Sequence, residues 1–307
     1  MRITRSFTKI SKAIRQLIRS LEGAVSQEQS MQSIDLSKRA KFRVSGNDRV
    51  RYLNGQVSND VNRASGIESI SACVTTSKGR LEGLIWISVD EESQSFLIDS
   101  DPELRNPLFQ RLSKYIIADD VEIIDVTDDY LLIHDLEQTE NDGIKSNRYS
   151  IDGTDRWVRP GELSAGSDWV SGKVLESLRI SQGVPKWGNE LDHKTLPQEA
   201  LLDRTSIDFH KGCYVGQEII SRLESVGQVK RILVGLSFDP ETVPSAGWSL
   251  CDEANNEVGT VTSVGSEKGT ALGLGYIKRD HCAVHANNAE KTLQSSVKIR
   301  NTPFTDS

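Results

Sequence analysis

The sequence has no long apolar run. The longest, near Leu84–Val89, is far too short to cross a bilayer. No apolar N-terminal segment with a small-residue cleavage site is present, so no secretory signal is read. Cysteine is sparse and scattered. Cys73, Cys213, Cys251 and Cys282 lie far apart without a C-x-x-C pair, which suits a reducing compartment better than a disulfide framework. G-x-G-x-x-G, G-x-x-x-x-G-K-[ST] and H-E-x-x-H are all missing, which removes the usual signatures of dinucleotide, P-loop and zinc-protease chemistry. There is no internal repeat and no low-complexity tract.

What remains is an ordinary globular chain. Its 307 residues, 36% hydrophobic and 26% charged, suffice for one large unit and a smaller one. Residues 1–30 differ from the rest. Arg2, Arg5, Lys9, Lys12, Arg15 and Arg19 oppose only Glu22 and Glu28, so this segment carries +4 and leaves −11 for the body, out of a total of −7. Ile3, Phe7, Ile10, Ile14, Leu17 and Leu21 recur at steps of four and three, predicting a basic amphipathic helix. It reads as an organelle transit segment, as a membrane- or partner-binding helix, or as a non-native extension ahead of Met31. The acidic body argues against direct nucleic-acid binding, which needs a basic footprint.

From Met31 on, strands and helices alternate. Phe42 and Val44 begin a strand, and SGND (Ser45–Asp48) is read as the cap of a helix over Asp48–Val61. Ile70, Ala72 and Val74, then SKGR and LEGLIWISV, predict a β-hairpin. Pro107 fits a helix start. The order β-α-β-β-β-α-β-β is mixed, so the expected class is α+β with antiparallel sheets. Beyond Gln228 only strand-like runs recur, predicting a small all-β barrel or sandwich. The expected boundaries are an extension over 1–30, a core over 31–227 and a β unit over 228–307. LGLGYI (Leu272–Ile277) is read as strand packing. HCAVH (His281–His285) is read as a turn between strands, not a metal site.

The chemistry concentrates in KGCYVGQE, Lys211–Glu218. After Gly216, Ile219, Ile220 and Leu223 share a helical face, which puts Cys213 in a glycine-flanked turn just ahead of a helix N-terminus. Peptide dipoles there favour an anion, Lys211 adds a positive charge, and Gly212 and Gly216 give the backbone freedom to turn. No partner pattern makes His210 a general base, so the residues alone indicate a reactive or ligating thiol and no defined reaction.

This motif resembles the signature of the YgfZ family, folate-binding relatives of the glycine-cleavage T-protein. RVSGNDRVRYLNGQVSNDV (Arg43–Val61), TTSKGRLEGLIWISV (Thr75–Val89) and the segment Leu178–Glu218 extend the likeness over most of Leu36–Tyr276. The resemblance implies a ring of three subdomains: two interwoven α+β units and a C-terminal β-barrel. It implies a tetrahydrofolate-binding factor that supports iron–sulfur cluster assembly or repair in client enzymes, tRNA-modifying ones included, in the cytoplasm or, if residues 1–30 are a presequence, in the mitochondrial matrix. Cys213 would be the key cysteine, with Lys211, Tyr214, Gly216, Gln217 and Glu218 shaping its loop, and with Asn59, Asp60 and Arg80 at the folate. T-proteins carry an acidic residue where RISQG here has Ser181, which weakens the alternative of aminomethyl transfer. A pure partner-binding module is the third reading.

Overall fold

The computed structural model describes residues 32–136, 143–163, 168–267, 269–290 and 292–300. The helix expected over residues 1–30 lies outside them. The described chain divides into two compact units, residues 33–166 with 186–232 and residues 168–185 with 233–300.

The first unit is α+β. One antiparallel sheet runs in the order β3-β4-β5-β2-β6: β2 is Ala40–Ser45, β3 Ile70–Thr75, β4 Leu81–Asp90, β5 Ser95–Ser100 and β6 Glu122–Asp125. Alternation along β4 sends Leu81, Gly83, Ile85 and Ile87 inward. Helices α1 (Arg49–Gln56) and α2 (Arg105–Ser113) cover that face, and Leu53, Leu108 and Leu112 complete a core with Phe42, Val44 and Ile98. Gly83 lies where α2 crosses, and a Cβ there would stand 2.9 Å from the Leu108 methyls, which would have to shift.

The helix expected over Asp48–Val61 ends at Gln56, because Val57 turns to extended backbone at φ −123°. Asp48 stands at its N-cap, but its carboxylate takes the Asp120 N–H at 2.9 Å instead of capping the helix.

A second antiparallel set, β1 (Gln32–Asp35), β7 (Leu131–Asp135), β9 (Gly153–Val158) and β8 (Ile144–Ser146), is interwoven with the first. The chain supplies β1, leaves for β2–β6 and returns with β7–β9. A buried ion network joins the two sheets. Arg148 bonds Asp99 of β5 at 3.1 Å through each of its terminal nitrogens, and also Asp155 of β9, while His134 of β7 meets Asp155 at 2.7 Å. Burial alone would raise the Asp155 pKa. Arg148 and His134 overcome that and hold it well below the carboxylate range.

The second unit carries the short strand β10 (Asp168–Trp169), α3 (Gly172–Ser181) and a closed antiparallel barrel. Its strand order is β11-β14-β13-β12-β15-β16, with β11 Arg231–Phe238, β12 Ser249–Cys251, β13 Glu257–Glu267, β14 Thr270–Lys278, β15 His285–Asn287 and β16 Gln294–Arg300. Ile180 of α3 packs with Leu233, Leu272, Leu274 and Tyr276 of the barrel. The two glycines of LGLGYI serve packing, as the sequence suggests. A Cβ on Gly273 would meet the Phe238 ring at 2.6 Å, and one on Gly275 the Thr260 carbonyl at 2.7 Å.

Candidate functional site: the Lys211–Glu218 loop

The loop leads into α4 (Gln217–Ser225), with Gly216 at the N-cap in the left-handed region, φ +90°. A Cβ on Gly216 would lie 2.5 Å from the Thr76 carbonyl and 2.6 Å from Thr75 Oγ1, so only glycine lets the loop lie against the β3–β4 hairpin. The main chain is stitched in place. The Val215 N–H donates to Gly55 O at 3.2 Å, the Thr75 hydroxyl to Val215 O at 2.6 Å, the Asp208 N–H to Ser58 O at 3.0 Å and Gln198 Nε2 to Ile220 O at 2.9 Å. Tyr214 is buried with Ile207 and Ile220. Gly212 and Cys213 stay exposed at the tip. Gly212 has no positive φ, and a Cβ there would meet nothing within 4 Å. Of the two glycines expected to permit the turn, Gly216 alone is required by its geometry.

Lys211 Nζ donates to Asn54 O at 2.6 Å, Val57 O at 2.8 Å and Asn59 O at 2.9 Å. These carbonyls lie at and just beyond the C-terminal end of α1, where helix geometry leaves acceptors without partners. An ammonium has three protons, and all three are used here. Nζ also stands 5.2 Å from the Tyr214 ring centroid. Burial pulls the Lys211 pKa down to about 8, while Asp60 and Asp208 push it back up.

Asn59 is buried and internally committed. Its Nδ2 donates to Ser71 O at 2.8 Å and Thr205 O at 3.3 Å, and its Oδ1 accepts the Asp60 N–H at 3.0 Å. Asp60 is half-buried and accepts from the N–H and Nδ2 of Asn62 through Oδ1, at 3.0 and 2.7 Å. The Arg80 guanidinium donates to Lys194 O. Gln217 opens α4, its N–H donating to Tyr214 O at 3.2 Å. Glu218 is exposed in the first turn, where the helix dipole favours a carboxylate. The Tyr214 hydroxyl is buried without a hydrogen-bond partner among the described residues, and burial pushes its pKa up. The Lys211 side chain therefore ties the loop to the backbone of residues 54–59, next to Asp60, and Arg80 is anchored at Lys194.

His281 lies in a turn and His285 opens β15, where its Nε2 meets Asn255 Oδ1 at 3.1 Å, so the two share no helical face. Among the described residues no three His, Cys, Asp or Glu side chains are grouped to hold a metal ion.

No family model matches the chain. A chloroplastic protein of Arabidopsis thaliana, provisionally named a transferase, is 30% identical over 82% of this chain and 66% of its own length. A mitochondrial protein of Dictyostelium discoideum, named an iron–sulfur cluster assembly factor IBA57 homologue, is 25% identical over 72% of this chain and 65% of its own. The chain thus spans just under two thirds of the length of these two relatives. The tRNA-modifying protein YgfZ of Yersinia pestis is 27% identical over 75% of this chain and 79% of its own. The glycine cleavage system aminomethyltransferase T of Bartonella henselae superposes with a TM-score of 0.79, covering 94% of this chain and 89% of that one at 17% identity. At that identity the likeness speaks for the fold alone. The chain belongs to the YgfZ family.

In this YgfZ-family chain several residues not singled out in the sequence build the loop's platform, most of them inside the segments that carry the family likeness. Thr75 holds Val215, and Ser58 donates to Ser206 O at 2.6 Å while accepting the Cys73 N–H at 2.8 Å. From α2, Arg111 bonds Thr75 O at 3.2 Å, Gln56 Oε1 at 2.9 Å and Glu82 at 2.6 Å, clamping the ends of α1 and β3 beneath the loop. Isolated hydroxyls and one helix arginine look like ordinary surface residues in sequence. In the second unit Ser181 is buried and donates to Leu178 O at 3.0 Å, so its hydroxyl back-bonds its own helix.

Proposed function

We propose that the protein is a tetrahydrofolate-binding factor supporting iron–sulfur cluster assembly or repair in client enzymes, tRNA-modifying enzymes among them, with Cys213 as the working thiol. The observation that carries this reading is the loop itself. Its backbone is pinned on both sides of an exposed cysteine, in a chain whose relatives are named a cluster assembly factor and a tRNA-modifying protein. A pinned, exposed thiol can meet a partner's cluster at little ordering cost. One cysteine cannot hold a cluster alone, since clusters take about four thiolates, so the remaining ligands come from a client or carrier protein.

The residues present fit tetrahydrofolate in part. Asn59 has both amide hydrogens committed, whereas the half-buried Asp60 carboxylate, with no partner at Oδ2 among the described residues, can accept pterin N–H groups there. Asp60 is therefore the residue assigned to the pterin, and Asn59 the one that positions it. Bound there, the reduced pterin supplies a carrier for one-carbon units. The alternative, an aminomethyltransferase, has the fold in its favour, but Ser181 offers no carboxylate.

The test is complementation of a cell lacking its own YgfZ-family protein. Cys213→Ser should lower cluster-dependent enzyme activity and tRNA thiolation at unchanged protein level and melting temperature. Full rescue by Cys213→Ser overturns the thiol role.

A further inference from the structure

We propose that Lys211 is a positioning residue: its ammonium straps the Cys213 loop to the backbone that presents Asp60, so thiol and carboxylate are two ends of one site. This deepens the proposed function and rests on its reading of Cys213 and Asp60. The argument is geometric. The three carbonyls that converge on Nζ, at 2.6, 2.8 and 2.9 Å, come from Asn54, Val57 and Asn59, and Asn59 is followed directly by Asp60. On the other side Cys213 lies only two residues beyond Lys211. Asn59 is locked by Ser71 and Thr205, and Val215 is locked to Gly55, so neither end of the strap is slack. The fit is specific to lysine. A compact ammonium serves three converging acceptors, whereas the planar arginine fork suits two parallel ones. A proton count points the same way: with all three donors engaged, none remains to be given to sulfur or to a substrate. A ligand that pulls on Asp60 shifts the Asn59 carbonyl, and through Nζ it shifts the loop tip.

The experiment uses the full chain with Cys282→Ser, which leaves Cys213 as the exposed thiol. Lys211, Lys211→Met and Lys211→Arg are each prepared with and without Asp60→Asn. Hydrogen exchange is followed over the loop, and Cys213 alkylation by iodoacetamide over time. Lys211→Met should speed loop exchange by about tenfold while β3 and β5 stay protected, and Lys211→Arg should not restore it. Asp60→Asn should change the alkylation rate by about threefold when Lys211 is present and leave it unchanged in Lys211→Met. Unaltered loop protection in Lys211→Met, restoration by Lys211→Arg, or an Asp60→Asn effect that survives loss of Lys211 each overturns the strap. Should Lys211→Met fail to fold, the arginine and Asp60→Asn arms decide. No folate or client protein enters the experiment, so a failed strap is distinguishable from a failed function.

Discussion

Replacing each loop glycine by alanine separates two residues that look alike in sequence. At Gly216 the backbone sits at φ +90°, and the added methyl would stand 2.5 Å from the Thr76 carbonyl and 2.6 Å from the Thr75 hydroxyl oxygen. Left-handed backbone costs an alanine about 1–2 kcal/mol. Forcing a methyl against main chain adds about 1–3 kcal/mol. Gly216→Ala should therefore lose roughly 2–5 kcal/mol, a fall in Tm of about 4–20 °C for a unit of this size. At Gly212 the φ is ordinary and a Cβ meets nothing. Gly212→Ala should be neutral or stabilise by about 0.4–1 kcal/mol, because alanine restricts the unfolded chain. Scanning calorimetry of both variants reads the difference. Equal shifts, or a Gly216→Ala change within about 0.5 kcal/mol, would refute the assignment of Gly216 as the sterically required residue.

Thiol titration under native conditions should count Cys213 and Cys282, with Cys73 and Cys251 appearing only on unfolding. Cys213→Ser should leave a single native thiol, and more would show that the core opens. The Lys211 proton gives a pH signature. With a folded pKa of about 8 against an ordinary 10.5, the unfolded chain binds more protons between those values. Stability from this group should therefore rise as pH climbs through that window, and wild type should gain on Lys211→Met in urea melts. A parallel pH dependence in the two proteins would contradict the burial of the ammonium.

Much of the architecture was legible because local patterns and long-range burial agree. LEGLIWISV alternates and becomes β4; Thr76–Arg80 turns where SKGR predicts; the succession from β2 to β7 follows the expected β-α-β-β-β-α-β-β order. Strands β1 and β8, of four and three residues, are too short for a period, and GTDRWV of β9 offers no apolar alternation, so none of the three is legible in the sequence. The helix after SGND was read too long, since nothing local announces that Val57 must turn away to expose carbonyls to a lysine more than 150 residues later.

By itself, the sequence determined that there is one thiol in a glycine-flanked turn, which helix follows it, and that the class is α+β with an all-β end, because periodicity, turn chemistry and motif spacing are local. Only the tertiary structure decided that Gly216 and not Gly212 is constrained, that Asn59 is spent internally while Asp60 Oδ2 has no partner among the described residues, and that the Lys211 charge is spent on three carbonyls. Hydrogen-bond partners are chosen by which segments the packed sheets bring within 3 Å, and that proximity is a property of the folded chain.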